Sequence, residues 1–241
     1  MTAVPPPPRI ALIPEQPSAL GGPLGRHLHF DERSRAFPVL LSRGTIIQTR
    51  TWDRHLKPFR QGKLRTCTGQ GAMGVLCTEP YRRPGLRYSE TLVRAIYTKA
   101  SHHDTLVGAW PTKDTGSTVL AAMKALKTLG FTQGFRWCFS LEDVLKTLSS
   151  VGPVELGLHW YEGFDRPNAQ GLVKLRGDLR GGHAVELLGV DAEQKRVWAI
   201  NSWGSDWGLQ GRFAFSWEDL DRLLHEQGEA ATVVMGSPPT R

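Results

Sequence analysis

The stretch Gln61-Gly62-Lys63-Leu64-Arg65-Thr66-Cys67-Thr68-Gly69 constrains this chain more than any other. A glycine-bearing loop runs into a segment read as a helix from Cys67 to about Glu79, stopped by Pro80. A cysteine at a helix start sits in the positive end of the helix dipole, which favours its thiolate. Gln61 stands earlier on the same loop and can turn an amide N–H₂ toward the sulfur, where an oxyanion formed by thiol attack needs a donor. A useful thiol also needs a base. The loop holds none, so the fold must bring one from a distant segment.

Two later segments supply candidates. Gly181-Gly182-His183-Ala184-Val185-Glu186-Leu187-Leu188-Gly189 reads as a strand carrying a histidine, and Ala199-Ile200-Asn201-Ser202-Trp203-Gly204 ends the next strand with an asparagine and an indole. Together with the Gln61–Cys67 loop, these motifs resemble those of the papain-like cysteine peptidases. That family carries Gln-Gly-x-x-Gly-Ser-Cys, then Gly/Asp-His-Ala-Val, then Asn-Ser-Trp-Gly-x-x-Trp-Gly-x-x-Gly. The last stands whole here, from Asn201 to Gly211. Cys67 and His183 are 116 positions apart (183−67) and His183 and Asn201 are 18 apart (201−183), the first interval somewhat shorter than in papain and the cathepsins.

The resemblance implies an α+β, two-lobed papain-like fold, with a helical lobe carrying the nucleophile and an antiparallel, barrel-like β lobe carrying His and Asn. It implies a Cys67–His183–Asn201 triad with Gln61 as oxyanion donor, no cofactor and no metal. His183 would take the thiol proton, Asn201 would orient its ring, and Trp203 would cover that hydrogen bond. Arg65, Gly116, Ser117, Gly182 and Trp203 are the expected substrate-binding residues. Asp114-Thr115-Gly116-Ser117 is similar to a turn that lines the cleft in bacterial and phage members, and a plain turn with a helix cap reads equally well from the residues. Three positions depart from the family pattern: Arg65 stands for a glycine, Thr66 for a serine and Thr68 for the common tryptophan. These bear on substrate selection more than on the reaction. Cys77 is a rival nucleophile, because Gln70-Gly71 precedes it, but that frame puts Leu76 at the cysteine's place and leaves Cys77 well inside the helix.

Composition narrows the alternatives. The net charge of +7 invites a nucleic-acid partner, but the basic residues are scattered and no binding motif accompanies them, so a solvated basic surface is expected. Three cysteines argue against a disulfide framework, and Cys77 and Cys138 read as small buried hydrophobes. His102-His103-Asp104 reads as a solvated loop, since adjacent histidines rarely converge on one ion. No apolar run approaches the roughly 20 residues of a membrane span, and the first residues lack a secretory pattern. The expectation is therefore a cytoplasmic monomer, bacterial or virus-encoded, acting on polypeptide, with no nucleic-acid or membrane partner.

Three regions follow from the pattern. Residues 1–44 are rich in Pro and Gly, with polyproline at Pro5–Pro8 and no helical period. They lack the pattern of the family's helical inhibitory propeptide, so an extended arm anchored by Phe30, Phe37, Leu40 and Leu41 is expected, and the full chain should be active untrimmed. Residues 45–152 read as the helical lobe, with helices at Cys67, after Ser89, after Ser117 and after Ser140. Residues 153–241 read as the β lobe, with strands at 154–160, 172–176, 183–190, 195–201, 211–216 and 230–235 and a helix at 217–226. Residues 45–241 would form one catalytic domain. The functions in play are a cysteine endopeptidase, a transpeptidase, isopeptidase or cell-wall amidase with the same triad, and a silent binding module that keeps the fold.

Overall fold

The computed structural model describes residues 9–236 except Pro84, Arg87 and Tyr88, so the Pro5–Pro8 run, Tyr88 and the 237–241 tail lie outside the described residues. In chain order the elements are β1 (Arg9–Ala11), β2 (Arg26–Phe30), β3 (Arg50–Thr51), α1 (Cys67–Leu76), α2 (Glu90–His103), β4 (Ser117–Thr118), α3 (Val119–Thr128), β5 (Gly134–Cys138), α4 (Leu141–Ser150), β6 (Val154–Tyr161), β7 (Leu179–Asp191), β8 (Arg196–Ile200), β9 (Arg212–Ser216), α5 (Trp217–His225) and β10 (Glu229–Val234). Short 3-10 turns add Glu32–Ala36 and Glu162–Phe164.

The helix starts follow from local chemistry. Ser89, Thr118, Ser140 and Ser216 each accept a backbone N–H of the first turn of α2, α3, α4 and α5, filling a donor that the helix leaves open. α1 has no side-chain cap, and it ends at Leu76 rather than near Glu79. Every residue of α1 is buried, which its glycines allow. A Cβ on Gly71 would lie 3.1 Å from the Glu155 carboxylate, and one on Gly74 would lie 2.5 Å from that of Glu186.

Seven strands form one open sheet in the order β5-β10-β6-β7-β8-β9, antiparallel throughout, with β3 also pairing β7, and a second sheet has the order β1-β2-β4, with β2 antiparallel to β1 and parallel to β4. The larger sheet does not close, so the barrel-like expectation gives way to an open sheet. Two further differences come from tertiary pairing. β5 arises within the helical half and pairs β10, because Phe135 and Trp137 find a core there. The segment 172–176 makes only an isolated bridge from Leu172 to Ala214. His102 and His103 lie in the last turn of α2 rather than in a loop.

Two apolar cores flank this sheet. Leu145 and Leu148 of α4 and Leu220 and Leu223 of α5 join Leu156, Leu158, Trp160 and Leu187 in one, and Met73, Ile96, Val119, Met123 and Leu126 build the other from α1, α2 and α3. β6 is consequently covered on both faces, so Glu155 is fully buried although it faces away from the apolar side chains of Val154 and Leu156. Neither of its carboxylate oxygens has a hydrogen-bond partner among the described residues, and burial pushes its pKa well up, so it is held neutral. Glu186, opposite it on β7, instead accepts from Arg54 Nε at 2.9 Å and Thr78 Oγ1 at 2.5 Å.

The Gly74 contact makes a test. Gly74→Ala gains helix propensity but displaces the Glu186 carboxylate from a buried ion pair, and breaking such a pair costs about 3–5 kcal/mol. Urea unfolding should show a net loss of about 2–4 kcal/mol. Gly134→Ala, where a Cβ meets nothing within 4 Å, should stay within about 0.5 kcal/mol of the parent.

Candidate active site

Cys67 opens α1 with its thiol fully buried. The backbone amides of Ala184, Gly25 and Thr68 lie close enough to its sulfur to favour the thiolate. Ala184 directly follows His183 on β7, so the packing of α1 on β7 brings the thiol beside the histidine-bearing strand. His183 Nε2 lies 2.8 Å from Asn201 Oδ1, and the Ser202 backbone N–H donates to the same oxygen at 2.7 Å. An atom that accepts a backbone N–H is the amide oxygen, so Nε2 carries the ring hydrogen and Nδ1 is the bare nitrogen. Nδ1 is buried and has no partner among the described residues. Two indoles enclose the ring: Trp160 at 4.8 Å and edge-on, and Trp203 at 5.2 Å and tilted by 36°.

Gln61 bridges the two halves. Its backbone N–H donates to Ser202 O at 2.8 Å, and its side-chain oxygen accepts Ser202 Oγ at 2.5 Å. Its Nε2 is thereby turned the other way, toward Leu64 O at 2.7 Å and Pro23 O at 3.1 Å. Cys77, by contrast, caps the far end of α1, and burial pushes its thiol up to about 12.

The arm expectation changes here. Residues 22–27 follow a bend at 19–21, run into β2 and lie in the cleft rather than around its outside. The Pro23 carbonyl occupies the Gln61 donor, and Gly25 N–H also reaches Gly182 O at 3.1 Å. Gly25 O accepts from Ser117 N at 2.8 Å, and Gly22 is so close to Trp203 that a Cβ there would lie 2.6 Å from Nε1. The anchors are Ile13, Leu24 and Arg26, all buried, whereas Phe30, Phe37 and Leu40 are exposed and Leu41 is half-buried. Asp165 holds the arm further upstream through Ser18 Oγ at 2.7 Å, and the buried Arg180 donates to Gln16 O at 3.0 Å.

All five expected substrate-binding residues border this arm. Arg65 pairs with Glu15 at 3.0 Å while its backbone N–H donates to Asp114 at 3.0 Å. Gly116 has φ of +76° and stands where any side chain would strike Gly25 O. A Cβ on Gly182 would strike Arg26 O. Sequence reasoning missed Glu15, Pro23, Gly25 and Arg26 as site neighbours. The signal was the small, kinked Gly21-Gly22-Pro23-Leu24-Gly25 run, which only a close backbone approach requires.

Burial sets the protonation state. It pushes the Cys67 thiol up to about 12, against the pull of the three amides, and the His183 imidazole down to about 4, against the Asn201 hydrogen bond. The lowered thiol pKa expected from the helix dipole is thus overridden, because the arm and the two indoles strip both groups of water. With the arm in place burial favours the neutral thiol at Cys67 and the neutral imidazole at His183, and no hydrogen bond joins the two among the described residues.

Comparisons with known proteins bear on the fold and the family. Residues 111–227 match the model of the papain family cysteine proteases, a span that holds His183 and Asn201 and begins after Cys67. Cathepsin B-like cysteine proteinase 6 of Caenorhabditis elegans is 35% identical over 100 residues, 41% of this chain and 25% of that protein. Cathepsin B-like CP2 of Giardia intestinalis is 33% identical over 132 residues, 52% of this chain and 41% of that protein. The chain therefore spans between a quarter and about two-fifths of these curated relatives. Among solved structures, xylellain, a cysteine protease from Xylella fastidiosa, superposes with a TM-score of 0.69 at 17% identity, covering 89% of this chain and 96% of that one. Procathepsin B S9 from Trypanosoma congolense gives 0.62 at 14%, covering 89% and 87%. Fold, ordered motifs and family match all liken this chain to the papain-like cysteine peptidases.

Two measurements follow. Gly22→Val drives a side chain into Trp203 and should loosen the arm, so iodoacetamide should alkylate Cys67 at least tenfold faster than in the parent at pH 7, read by mass spectrometry; equal rates would mean the arm does not shield the thiol. The second concerns pH. Between about 4 and the ordinary 6.5, unfolded His183 binds more protons than folded, so stability is present above that window and is lost as pH falls through it. Between the ordinary 9 and about 12 folded Cys67 binds more protons, so its contribution is present below the window and is lost as pH rises through it. Urea midpoints should show both limbs in the parent, with both reduced in Cys67→Ala/His183→Ala.

Proposed function

We propose that this chain hydrolyses peptide bonds with Cys67 as nucleophile, His183 as base and acid, Asn201 as the group that orients it, and Gln61 as oxyanion donor. The observation that carries the reading is the His183 tautomer: Nε2–H is committed to Asn201 Oδ1, which leaves Nδ1 bare beside the strand amide that contacts the Cys67 sulfur. The arm segment must first withdraw, which rehydrates the pair and frees Gln61 Nε2.

The chemistry then follows from these positions. The thiol proton passes to His183 Nδ1, and the sulfur forms a bond to the substrate carbonyl carbon. The resulting oxyanion accepts from Gln61 Nε2 and from the Cys67 backbone N–H, which has no acceptor within α1 because it belongs to the first turn. As the C–N bond breaks, the imidazolium gives its proton to the leaving amine, and the acyl group remains on sulfur as a thioester. His183 next takes a proton from water, whose oxygen attacks the thioester, and returns that proton to sulfur as the acid leaves.

Incubation with a peptide library, with products sequenced, tests this. The Gly22→Val chain should cleave, and Cys67→Ala in that background should not. Gln61→Ala should lower kcat by about 10²–10³ with little change in KM, the usual loss for one oxyanion donor. Asn201→Ala should fall between parent and His183→Ala. Full activity in Cys67→Ala, or an unchanged kcat in Gln61→Ala, would refute the assigned roles.

A further inference from the structure

The arm continues past the cleft and builds one wall of a cavity. β2 and the 3-10 turn after it supply His29, Phe30 and Arg35, while β5, the residue after it and α5 supply Trp137, Phe139 and Leu224. The volume between these walls is about 200 Å³. An apolar cavity of about 150 Å³ takes up benzene, so this one has room for a single aromatic ring with a short polar chain.

The polar groups left over in the lining are mostly donors. Trp137 and His29 are each 5% exposed, and the indole Nε1 and both imidazole nitrogens have no hydrogen-bond partner among the described residues. Burial lowers the His29 pKa, so the ring is neutral and carries one N–H. The exposed Arg35 guanidinium stands 5.6 Å over the Phe30 ring and forms no ion pair among the described residues. The two carboxylates of the lining are already matched: Asp31 accepts from Arg33 Nε at 2.8 Å and Nη2 at 2.6 Å, and Glu229 accepts from Arg26 Nη2 at 2.7 Å. Buried N–H groups without an acceptor are costly, and an occupant that suits them brings acceptors of its own. A carboxylate can address the indole, the imidazole and the guanidinium, whereas a cation would meet Arg35.

We propose that this cavity binds a small aromatic carboxylate, and that the bound acid, touching both walls, holds the arm in the cleft. The cleft segment ends in β2, the strand that carries His29 and Phe30, and its Gly25 amide lies close to the Cys67 sulfur. Withdrawing that segment pulls one wall away from the other. The acid therefore favours the covered state, by a factor that grows as 1 + [L]/Kd. Neither step depends on peptide hydrolysis.

Phenylacetate is the probe, with phenethyl alcohol and phenethylamine as its neutral and cationic analogues at constant ionic strength. In proton–nitrogen correlation spectra of the isotope-labelled full chain, phenylacetate should move the Trp137 indole cross-peak, identified by its loss in Trp137→Phe. The shift should saturate with a Kd on the order of 1 mM, the range open to a ligand of this size. Phenylacetate should bind about five- to tenfold more tightly than the alcohol, the margin of a charge-assisted hydrogen bond over a neutral one. Line broadening of the ligand should show about threefold weaker binding in Arg35→Gln, an exposed position, and about tenfold weaker binding in Trp137→Phe. Arg35→Gln carries this comparison alone if Trp137→Phe does not fold. At ten times its Kd, phenylacetate should slow iodoacetamide alkylation of Cys67 about tenfold. A cross-peak that does not move, equal or tighter binding of the alcohol or the amine, or unchanged affinity in the variants would overturn the site. A saturating shift with an unchanged alkylation rate would overturn the hold on the arm.

Discussion

Everything at this site depends on how closely α1 lies against the sheet. Gly71 and Gly74 present bare backbone to β6 and β7, and Gly69 does the same to α2, where a Cβ would lie 3.2 Å from Tyr97. Glycines weaken an isolated helix by about 1 kcal/mol each relative to alanine, so α1 is held by its surroundings rather than by its own propensity. That approach carries the Cys67 sulfur to the Ala184 amide. The cost falls on the carboxyls beneath: Glu186 is compensated by Arg54 and Thr78, while Glu155 is left uncharged.

The second constraint is the clamp formed by Gln61, Ser202 and Asn201. Ser202 gives its N–H to the asparagine oxygen, its hydroxyl to the Gln61 oxygen and its carbonyl to the Gln61 N–H. One residue thereby sets the direction of two amides on opposite sides of the cleft. The donor end of Gln61 faces the cleft because its acceptor end is taken, and His183 is restricted to one tautomer for the same reason. The substrate-facing chemistry is thus oriented before any peptide arrives.

Much of this was legible in the sequence, and for identifiable reasons. Cys67, His183 and Asn201 stand in ordered motifs whose residue types have few other uses together, and Ser89, Ser140 and the apolar stripes after them mark their helices directly. Propensity failed where a partner distant in sequence decided the outcome. β5 is a strand because β10 lies beside it, and Glu155 is buried because α1 covers the second face of β6. The thiol pKa was misjudged because a helix dipole is local and readable, whereas desolvation by residues 22–25 is not. The arm itself looked featureless, since a segment that pairs only with other elements has no period of its own.

The indole of Trp203 has a further consequence. It lies between His183 on one side and the backbone of Gly22 on another, and it belongs to an aromatic cluster with Trp160 at 5.1 Å and Trp207 at 5.3 Å. Its Nε1 is buried with no partner among the described residues while the arm is seated. Departure of the arm would bring water to that nitrogen and shift the emission of the cluster to longer wavelength. The protein therefore carries its own optical readout of whether the cleft is covered, set against the histidine whose ionisation the covering controls.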